Sequence, residues 1–239
     1  MAYQAVFQRY ELKFMLTDAQ KDIILSAMEP HMAPDGYGRT TIRNIYFDTD
    51  RYRLIRRSIE KPAYKEKLRI RSYAKADPDS PVFVELKKKY RSVVFKRRIS
   101  LPERQALDWL EGRTPCPTPC QIADEIDYFM AHYASLRPTL FLTYDRQAYY
   151  SRSGDGFRVT FDENILCRQE EMSLEQGIWG TPLLEDGKVL MEIKCNGGIP
   201  LWMTEVLSRE RIYKTSFSKY GTAYERIIFP TLKEALSNA

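Results

Sequence analysis

Basic side chains recur at every second position in several segments that have the pattern of β-strands. Successive side chains of a strand point to opposite faces, so such a segment has one charged face and one apolar face. The clearest row lies in residues 64–73 and consists of Lys65, Lys67, Arg69 and Arg71. Leu68 and Ile70 have the opposite parity, and the same alternation occurs in residues 9–13, 85–89 and 192–194. Rows of cations with an occasional carboxylate are suited to binding a polyphosphate together with a divalent metal.

Three carboxylates, Glu11, Glu85 and Glu192, have the same parity as these cations. Each could form a salt bridge with a neighbouring Lys or Arg. Alternatively, they could be ligands of Mn²⁺ or Mg²⁺, because hard divalent ions take oxygen ligands, and Mg²⁺ is usually held by one or two carboxylates plus substrate phosphates. Glu192 is the preferred candidate ligand, and Glu11 is the second.

Two interpretations of the charged faces remain open from the residues alone. They could be the solvated side of an ordinary antiparallel sheet. They could instead line a binding site, because a solvated face usually mixes both signs with neutral polar residues, whereas the row from Lys65 to Arg71 is uniformly basic. Like charges at this spacing repel each other, and a bound anion would relieve that repulsion.

The composition limits the class of protein. With 239 residues, 44% hydrophobic residues and a net charge of +5, the chain can bury a core and is predicted to form one domain over residues 1–239. No segment approaches the roughly 20 apolar residues of a membrane helix, and residues 1–9 lack the apolar stretch of a signal peptide. Four irregularly spaced cysteines are typical of free thiols in a reducing compartment, so we expect a cytoplasmic protein.

Several enzyme classes lack their motifs in this chain. It contains neither the G-x-x-x-x-G-K-[ST] of a P-loop nor the G-x-S-x-G of a serine hydrolase. The two histidines, His31 and His132, have no motif around them, which disfavours histidine-based triads and zinc hydrolases. Cys116 and Cys120 lack a second pair of ligands, which disfavours a zinc site there.

The hydrophobic patterns predict an α+β fold. Strands are predicted at 6–16, 40–48, 63–73, 82–89, 92–100, 139–151, 157–166 and 189–195. Helices are predicted at 18–28, 50–60, 100–111, 122–133, 200–207 and 216–227. Hairpins without regular βαβ alternation favour an antiparallel sheet. Closure of that sheet would hide the charged faces from bulk water and remove sheet edges, so we predict an antiparallel β-barrel, or tunnel, with flanking helices.

Ser218 and Lys219 lie near the start of the last predicted helix, with Lys214 close by in the chain. The first N–H groups of a helix and its positive dipole end are suited to binding a phosphate. The alternative is that Ser216 caps the helix and that the lysine is solvated.

Nine short segments carry a family resemblance. They are RYELKF at 9–14, IYFD at 45–48, KLRIR at 67–71, VELK at 84–87, FKRR at 95–98, YDR at 144–146, RVT at 158–160, MEIK at 191–194 and FSKY at 217–220. In this order they resemble the catalytic domain of the vacuolar transporter chaperone family, which belongs to the triphosphate tunnel metalloenzymes. Each segment alone is weakly specific, but nine in register over nearly the whole chain are specific.

The resemblance implies a β tunnel and a metal-dependent polyphosphate polymerase, a phosphotransferase that moves the γ-phosphate of ATP onto a growing polyphosphate. It implies phosphate-binding, catalytic roles for Lys13, Arg69, Arg71, Lys87, Lys96, Arg146 and Arg158. It implies cofactor binding by Lys194, Ser218 and Lys219, and binding of Mn²⁺ or Mg²⁺ by Glu192, with Glu11 as the second candidate.

The chain departs from the family pattern at two positions. Ser216 stands where the family often has a lysine, and Lys214 is the nearest replacement. Arg9 stands where the first glutamate of the tunnel signature E-x-E-x-K would be, which removes a possible metal ligand and disfavours pure triphosphatase chemistry.

The expected partners are ATP and inorganic polyphosphate, with no sequence-specific nucleic acid. Because the chain has no membrane segment of its own, delivery of product across a membrane would need a membrane-protein partner. The alternatives are an inorganic triphosphatase or nucleoside triphosphatase on the same fold, and a non-catalytic binder of polyphosphate, inositol phosphates or RNA. RNA binding would normally add exposed aromatic side chains among the cations; Tyr64 and Tyr73 flank the basic row, but Tyr64 has the opposite parity.

Overall fold

The computed structural model describes residues 10–91 and 93–237. Residues 6–9 and Ser92, which belong to predicted strands, lie outside the described residues. The strands are β1 (Tyr10–Thr17), β2 (Met32–Pro34), β3 (Thr40–Asp48), β4 (Tyr64–Ser72), β5 (Pro81–Tyr90), β6 (Val93–Pro102), β7 (Arg137–Ser151), β8 (Arg158–Arg168), β9 (Thr181–Pro182), β10 (Lys188–Cys195) and β11 (Lys214–Thr215). The helices are α1 (Asp18–Met28), α2 (Arg53–Ile59), α3 (Glu103–Leu110), α4 (Gln121–Tyr133), α5 (Leu201–Arg209), α6 (Lys219–Ala223) and α7 (Phe229–Ser237).

All eight long strands were predicted, with their described ends within about two residues. The short strands β2, β9 and β11 were not predicted, because two or three residues are too few to show an alternating pattern. Helix α1 begins as predicted at the cap residue Thr17, whose side chain and that of Gln20 form a reciprocal capping box.

Three helix starts differ from the prediction. Helix α3 begins at Glu103, with Pro102 as its cap residue, rather than after Ser100, because β6 extends to Pro102. Helix α2 begins at Arg53, three residues late, because the buried carboxylate of Asp48 accepts hydrogen bonds from the N–H groups of Leu54 and Ile55. The last helical segment begins at Lys219, and its cap is Ser218 rather than Ser216. Helix α6 is five residues long and continues into a π-helical turn before α7.

The chain forms two compact units, each assembled from three separate stretches. The first unit comprises residues 1–41, 144–165 and 184–217, and the second comprises 42–143, 166–183 and 218–239. Each has its own hydrophobic core among the described residues. The prediction of one domain over 1–239 therefore stays a prediction.

In the first unit the strand order is β11-β1-β10-β8-β7, with β2 paired to β7. The apolar faces of β1, β8 and β10 pack with α1 and α5, and Phe14, Val159 and Met191 are fully buried there. The opposite faces carry the alternating charged residues, as the parity of the sequence predicted.

In the second unit the order is β7-β3-β4-β5-β6, and β9 pairs with β8. Leu68, Val84 and Leu86 on the apolar face are completely buried in a core that includes residues of α3 and α4. Every described pairing is antiparallel. The predicted α+β class with an antiparallel sheet and flanking helices is confirmed, and β6 and β11 are each paired on one side only among the described strands.

None of the helices in the described part of the chain combines the length and the hydrophobicity that a membrane-spanning segment requires.

Candidate functional site

The second unit carries a ladder of cations across three neighbouring strands, which we call the basic ladder. Its rungs follow the register of β4, β5 and β6: Lys65–Lys89–Val94, Lys67–Lys87–Lys96, Arg69–Glu85–Arg98 and Arg71–Phe83–Ser100. The ladder lies on the face opposite the hydrophobic core, because Leu68 and Leu86 alternate with these residues. The charged rows of β4, β5 and β6, which are separate in the sequence, therefore lie side by side on one face of the sheet.

Glu85 is the buried centre of this ladder, with 1% of its side chain exposed. Its Oε2 accepts hydrogen bonds from Nε of Arg69 at 2.8 Å and lies 2.7 Å from Nη2 of the same guanidinium. Its Oε1 lies 2.6 Å from Nζ of Lys96 and 3.4 Å from Nε of Arg98, and Arg71 Nε is 3.8 Å from Oε2. Burial alone would raise the pKa of Glu85, but the surrounding Arg and Lys charges lower it well below its ordinary value. Of the two sequence alternatives for Glu85, the contacts favour the salt-bridge partner.

Lys96 is the titratable cation of this group. Burial of its charge lowers the pKa to about 8, and the charges of Arg69 and Arg71 add to that effect, although Glu85 opposes it. About 40% of the side chain remains exposed, so Lys96 lies at the surface of the ladder. Lys96 therefore carries its positive charge at neutral pH and loses it in mildly alkaline solution.

Arg98 was not among the assigned site residues, although it has the same parity as Lys96. Its guanidinium lies 3.5 Å from the ring centroid of Phe83, and its Nη2 donates a hydrogen bond of 3.0 Å to the Tyr73 hydroxyl. The i, i+2 spacing in β6 is the signal that identifies Arg98 as a member of the ladder.

Lys67, Ser218 and Tyr220 form a second group in the same unit. Nζ of Lys67 donates to Oγ of Ser218 at 3.1 Å and lies 6.0 Å from the ring centroid of Tyr220. Oγ of Ser218 also caps α6 by accepting from the N–H of Gly221. Lys219 is 9% exposed. The structure therefore brings Ser218 to the cations of β4, as expected for a shared site.

Tyr46 and Tyr220, which contact this group, were not identified as site residues from the sequence. The hydroxyl of Tyr220 donates to the carboxylate of Asp48 at 3.0 Å, and its ring is 4.9 Å from that of Tyr46. The hydroxyl of Tyr46 in turn accepts a hydrogen bond of 3.0 Å from Nη1 of Arg69. The chain of contacts links α6 to Arg69 through two aromatic rings. No spacing rule predicts such a contact, because its partners are far apart in the sequence.

The first unit has a separate group around Glu192, which is 7% exposed. Lys13 is directly opposite Glu192 in the register of β1 and β10, with Nζ 3.4 Å from Oε1. Arg146 Nη2 and Lys194 Nζ lie 3.6 and 3.5 Å from Oε2. Three predicted cations therefore meet around the carboxylate of a fourth predicted site residue, Glu192.

Arg146 is held by Asp162, which is fully buried. Its Nε and Nη2 donate to the two carboxylate oxygens of Asp162 at 2.6 and 2.7 Å, a bidentate pair that fixes the plane of the guanidinium. Burial opposes the charge of Arg146, but Tyr144, Asp162 and Glu192 outweigh it and raise its pKa further. Arg146 is therefore a permanent, oriented cation.

The remaining predicted residues of this unit lie around that group. Arg158 is directly opposite Lys194 in register and is about half exposed, with Nη2 3.5 Å from a carboxylate oxygen of Asp35. Glu11 pairs with Lys194 and is a diagonal neighbour of Glu192, a relation that corresponds to about 7–8 Å in an antiparallel sheet. Lys214 pairs with Phe14, so its parity differs from that of Lys13.

Glu192 and Glu11 are suited to binding a metal ion that is also coordinated by the phosphates of the substrate. Glu192 and Glu11 offer only carboxylate oxygens, the donors that Mn²⁺ and Mg²⁺ accept. Among the described residues, no group of three or more His, Cys, Asp or Glu is placed to hold a metal by itself. One or two carboxylates completed by substrate phosphates fit Mg²⁺, whereas a preformed all-protein site does not fit these residues.

Comparison with known proteins places the chain in a family. The model of the VTC domain family matches residues 8–228. Comparison with curated proteins found no match. The structure is similar to that of a candidate adenylate cyclase from Bacillus halodurans, with a TM-score of 0.56, 15% identity, and coverage of 90% of this chain and 96% of that one.

A second similar structure is a candidate adenylyl cyclase from Hippeastrum that is described as having a dominant triphosphatase activity. The TM-score is 0.51 at 16% identity, over 88% of this chain and 92% of that one. At these identities the similarity shows a shared fold, and the predicted tunnel-like class is confirmed. Because the family model matches most of the residues, the chain belongs to the VTC domain family.

Proposed function

We propose that the protein is a metal-dependent polyphosphate polymerase that transfers the γ-phosphate of ATP to a growing chain of inorganic polyphosphate. The observation that carries this proposal is the basic ladder. Its row from Lys65 to Arg71 extends for about 20 Å, given a rise of about 3.3 Å per residue. Such a row can contact several consecutive phosphates of a polyphosphate chain. Membership in the VTC domain family also supports polyphosphate as the ligand.

The reaction requires little covalent help from the protein. A terminal oxygen of the polyphosphate attacks the γ-phosphorus, the bond from that phosphorus to the β–γ bridging oxygen breaks, and ADP leaves with the bonding electron pair. Catalysis then consists of in-line positioning and of cations around the transferring group. Arg69, Arg71 and Lys96 supply these cations in the second unit, where Glu85 holds them in place.

The first unit supplies the same chemistry from other residues. Arg146 is oriented by its bidentate pair with Asp162 and can donate to phosphate oxygens. Lys13 and Lys194 are point charges that bind phosphate with less strict geometry. Glu192, with Glu11 beside it, would hold Mn²⁺ or Mg²⁺, which when bound supplies a Lewis acid for phosphoryl oxygens.

The test is incubation of the purified protein with ATP and Mn²⁺, with and without a short polyphosphate primer, followed by gel analysis and phosphorus NMR. Long polyphosphate with a matching amount of ADP is the expected product. Arg69→Ala should lower turnover by about 10²-fold or more if its phosphate contact is made mainly in the transition state.

Arg97→Ala is the matched control. Arg97 is an arginine of β6 on the other face, where its Nε lies 3.1 Å from a carboxylate oxygen of Glu125. Its removal should leave turnover unchanged. Equal turnover in the folded Arg69→Ala and Arg97→Ala variants would reject the catalytic role of the basic ladder.

The second candidate is a triphosphatase, in which water replaces the phosphate acceptor. It is favoured by the activity described for the structurally similar Hippeastrum protein. Free phosphate without chains would establish this outcome. A non-catalytic binder would instead show no turnover with tight binding of polyphosphate, and in it Glu192→Ala would leave affinity unchanged or improve it, whereas an enzyme would lose turnover.

A further inference from the structure

The basic ladder has different chemistry at its two ends. At one end the rung consists of Lys65, Lys89 and Val94. At the other end the last cation of β4, Arg71, pairs with Phe83 instead of a charged residue. Cations thus continue to one end of the ladder and give way to aromatic residues at the other.

Tyr73 completes this aromatic end. It follows β4 directly, and its ring lies 5.6 Å from the ring of Phe83 at an interplanar angle of 77°. Arg98 lies between the aromatic rings and the cations, with its guanidinium carbon 3.5 Å from the Phe83 centroid and 5.6 Å from that of Tyr73. We call Tyr73, Phe83 and Arg98 the aromatic end.

The aromatic end is accessible. Tyr73 is 40% exposed, and the side chain of Arg98 is 32% exposed. The ring of Tyr73 also lies 5.8 Å from the guanidinium carbon of Arg71, so this accessible ring is next to the last cation of β4. A large aromatic surface beside a row of phosphate-binding cations is unsuited to inorganic polyphosphate, which has no group that can stack on it. Nucleobases stack on tyrosine rings and on guanidinium planes. This surface is therefore suited to the base of a nucleotide whose phosphates contact the cations.

We infer that the aromatic end is the nucleobase-binding subsite of the basic ladder, and this inference rests on the proposed function. With the base on Tyr73 and Arg98, the triphosphate extends past Arg71 and Arg69 toward Lys67. The growing polyphosphate then lies toward the Lys65 end. Because every base has a face that can stack, the subsite selects nucleotides over base-free triphosphates and discriminates weakly among the bases.

The test compares ligands that differ only in the base. Binding of ATP, ribose 5′-triphosphate and inorganic tripolyphosphate to the full chain is measured by calorimetry in the presence of Mg²⁺. Wild-type protein should bind ATP roughly 5- to 150-fold more tightly than ribose 5′-triphosphate, the range of one base–aromatic stack. Tyr73→Ala should remove most of this ratio, while Tyr73→Phe, which keeps the ring, should retain it.

The matched control is Tyr90→Ala. Tyr90 is an exposed tyrosine of β5 whose parity in the strand is opposite to that of the ladder. Its removal should therefore change neither the affinity for ATP nor the ratio of the ATP and ribose 5′-triphosphate affinities.

Equal losses of ATP and tripolyphosphate affinity in Tyr73→Ala would overturn the inference, because Tyr73 would then act only by orienting Arg98. Equal binding of ATP and ribose 5′-triphosphate by the wild type would also overturn it, without need of any variant. Failure to bind any of the three ligands would instead reject the proposed function and the inference with it.

Discussion

Replacement of Glu85 by glutamine should have opposite effects on stability and on ligand binding. The substitution keeps the size of the side chain but removes its negative charge. Four cations would then face each other around a neutral amide, and the closest of them, Arg69 and Lys96, are 2.6–2.8 Å from the carboxylate oxygens in the native protein. We therefore expect the unliganded variant to be less stable and its affinity for inorganic tripolyphosphate to be higher.

The size of the stability effect follows from burial. One close pair at about 2.7 Å is worth about 6 kcal/mol of gross attraction at an effective dielectric constant of about 20, and much of this offsets desolvation. Removal of one partner from a buried ion pair costs about 3–5 kcal/mol. For a chain of this length, that corresponds to a fall in Tm of about 6–20 °C.

The pH dependence of this effect has a definite sign. Because the cations lower the pKa of Glu85 in the folded state, its stabilisation is fully present above the unfolded-state pKa of about 4.3 and is lost as the pH falls below that value. The difference in Tm between wild type and Glu85→Gln should therefore shrink as the pH is lowered into the acid range.

Thermal unfolding at pH 7, with and without tripolyphosphate, measures both effects. The ligand should raise the Tm of Glu85→Gln more than that of the wild type, because no carboxylate competes for the cations. Glu125→Gln is the control: Glu125 contacts Lys88 and Arg97 on the other face and is 23% exposed, so its loss should cost no more than about 1 kcal/mol. A loss of less than about 2 °C in Glu85→Gln, or a smaller ligand-induced rise than in wild type, would refute the reasoning.

Two further outcomes are expected from perturbed groups of the second unit. Affinity for tripolyphosphate should fall as the pH rises through about 8, because Lys96 loses its charge there. Lys96→Arg should flatten this pH profile in a calorimetric titration. An unchanged profile in the variant would show that Lys96 does not contact the ligand. Tyr220→Phe should lower the free energy of unfolding by about 1–3 kcal/mol in denaturant titration, because buried Asp48 loses a hydrogen-bond donor. Tyr128→Phe, on a side chain that is 73% exposed, should change it by less than about 0.5 kcal/mol, and similar losses in the two variants would contradict this reading.

The sequence predicted the faces of the sheet well because strand periodicity is a local property. In β4 and β5, the residues of one parity lie in the hydrophobic core and those of the other form the basic ladder. The same holds for β1 and β10, where the predicted site residues Lys13 and Glu192 are directly opposite each other. Alternation fixes which face a side chain occupies, and the antiparallel register then brings like faces together.

The long-range contacts of the site were not predictable in this way. Asp48 sets the start of α2 and accepts a hydrogen bond from Tyr220, which is 172 residues away in the chain. Ser218, rather than Ser216, caps α6 and also meets Lys67. Both serines are chemically suitable caps, so only the path of the folded chain decides between them.

Glu85 offers a second explanation for the four like charges at alternate positions of β4. From the sequence, a bound anion was the explanation for four like charges at alternate positions of β4. The carboxylate of Glu85 already relieves much of that repulsion, since it contacts Arg69 and Arg71 on β4 and Lys96 and Arg98 on β6. One negative charge against four positive ones leaves the group with a net attraction for anions. A polyphosphate must therefore compete with Glu85 for the cations that Glu85 holds in place, and its measured affinity will be the difference between the two interactions.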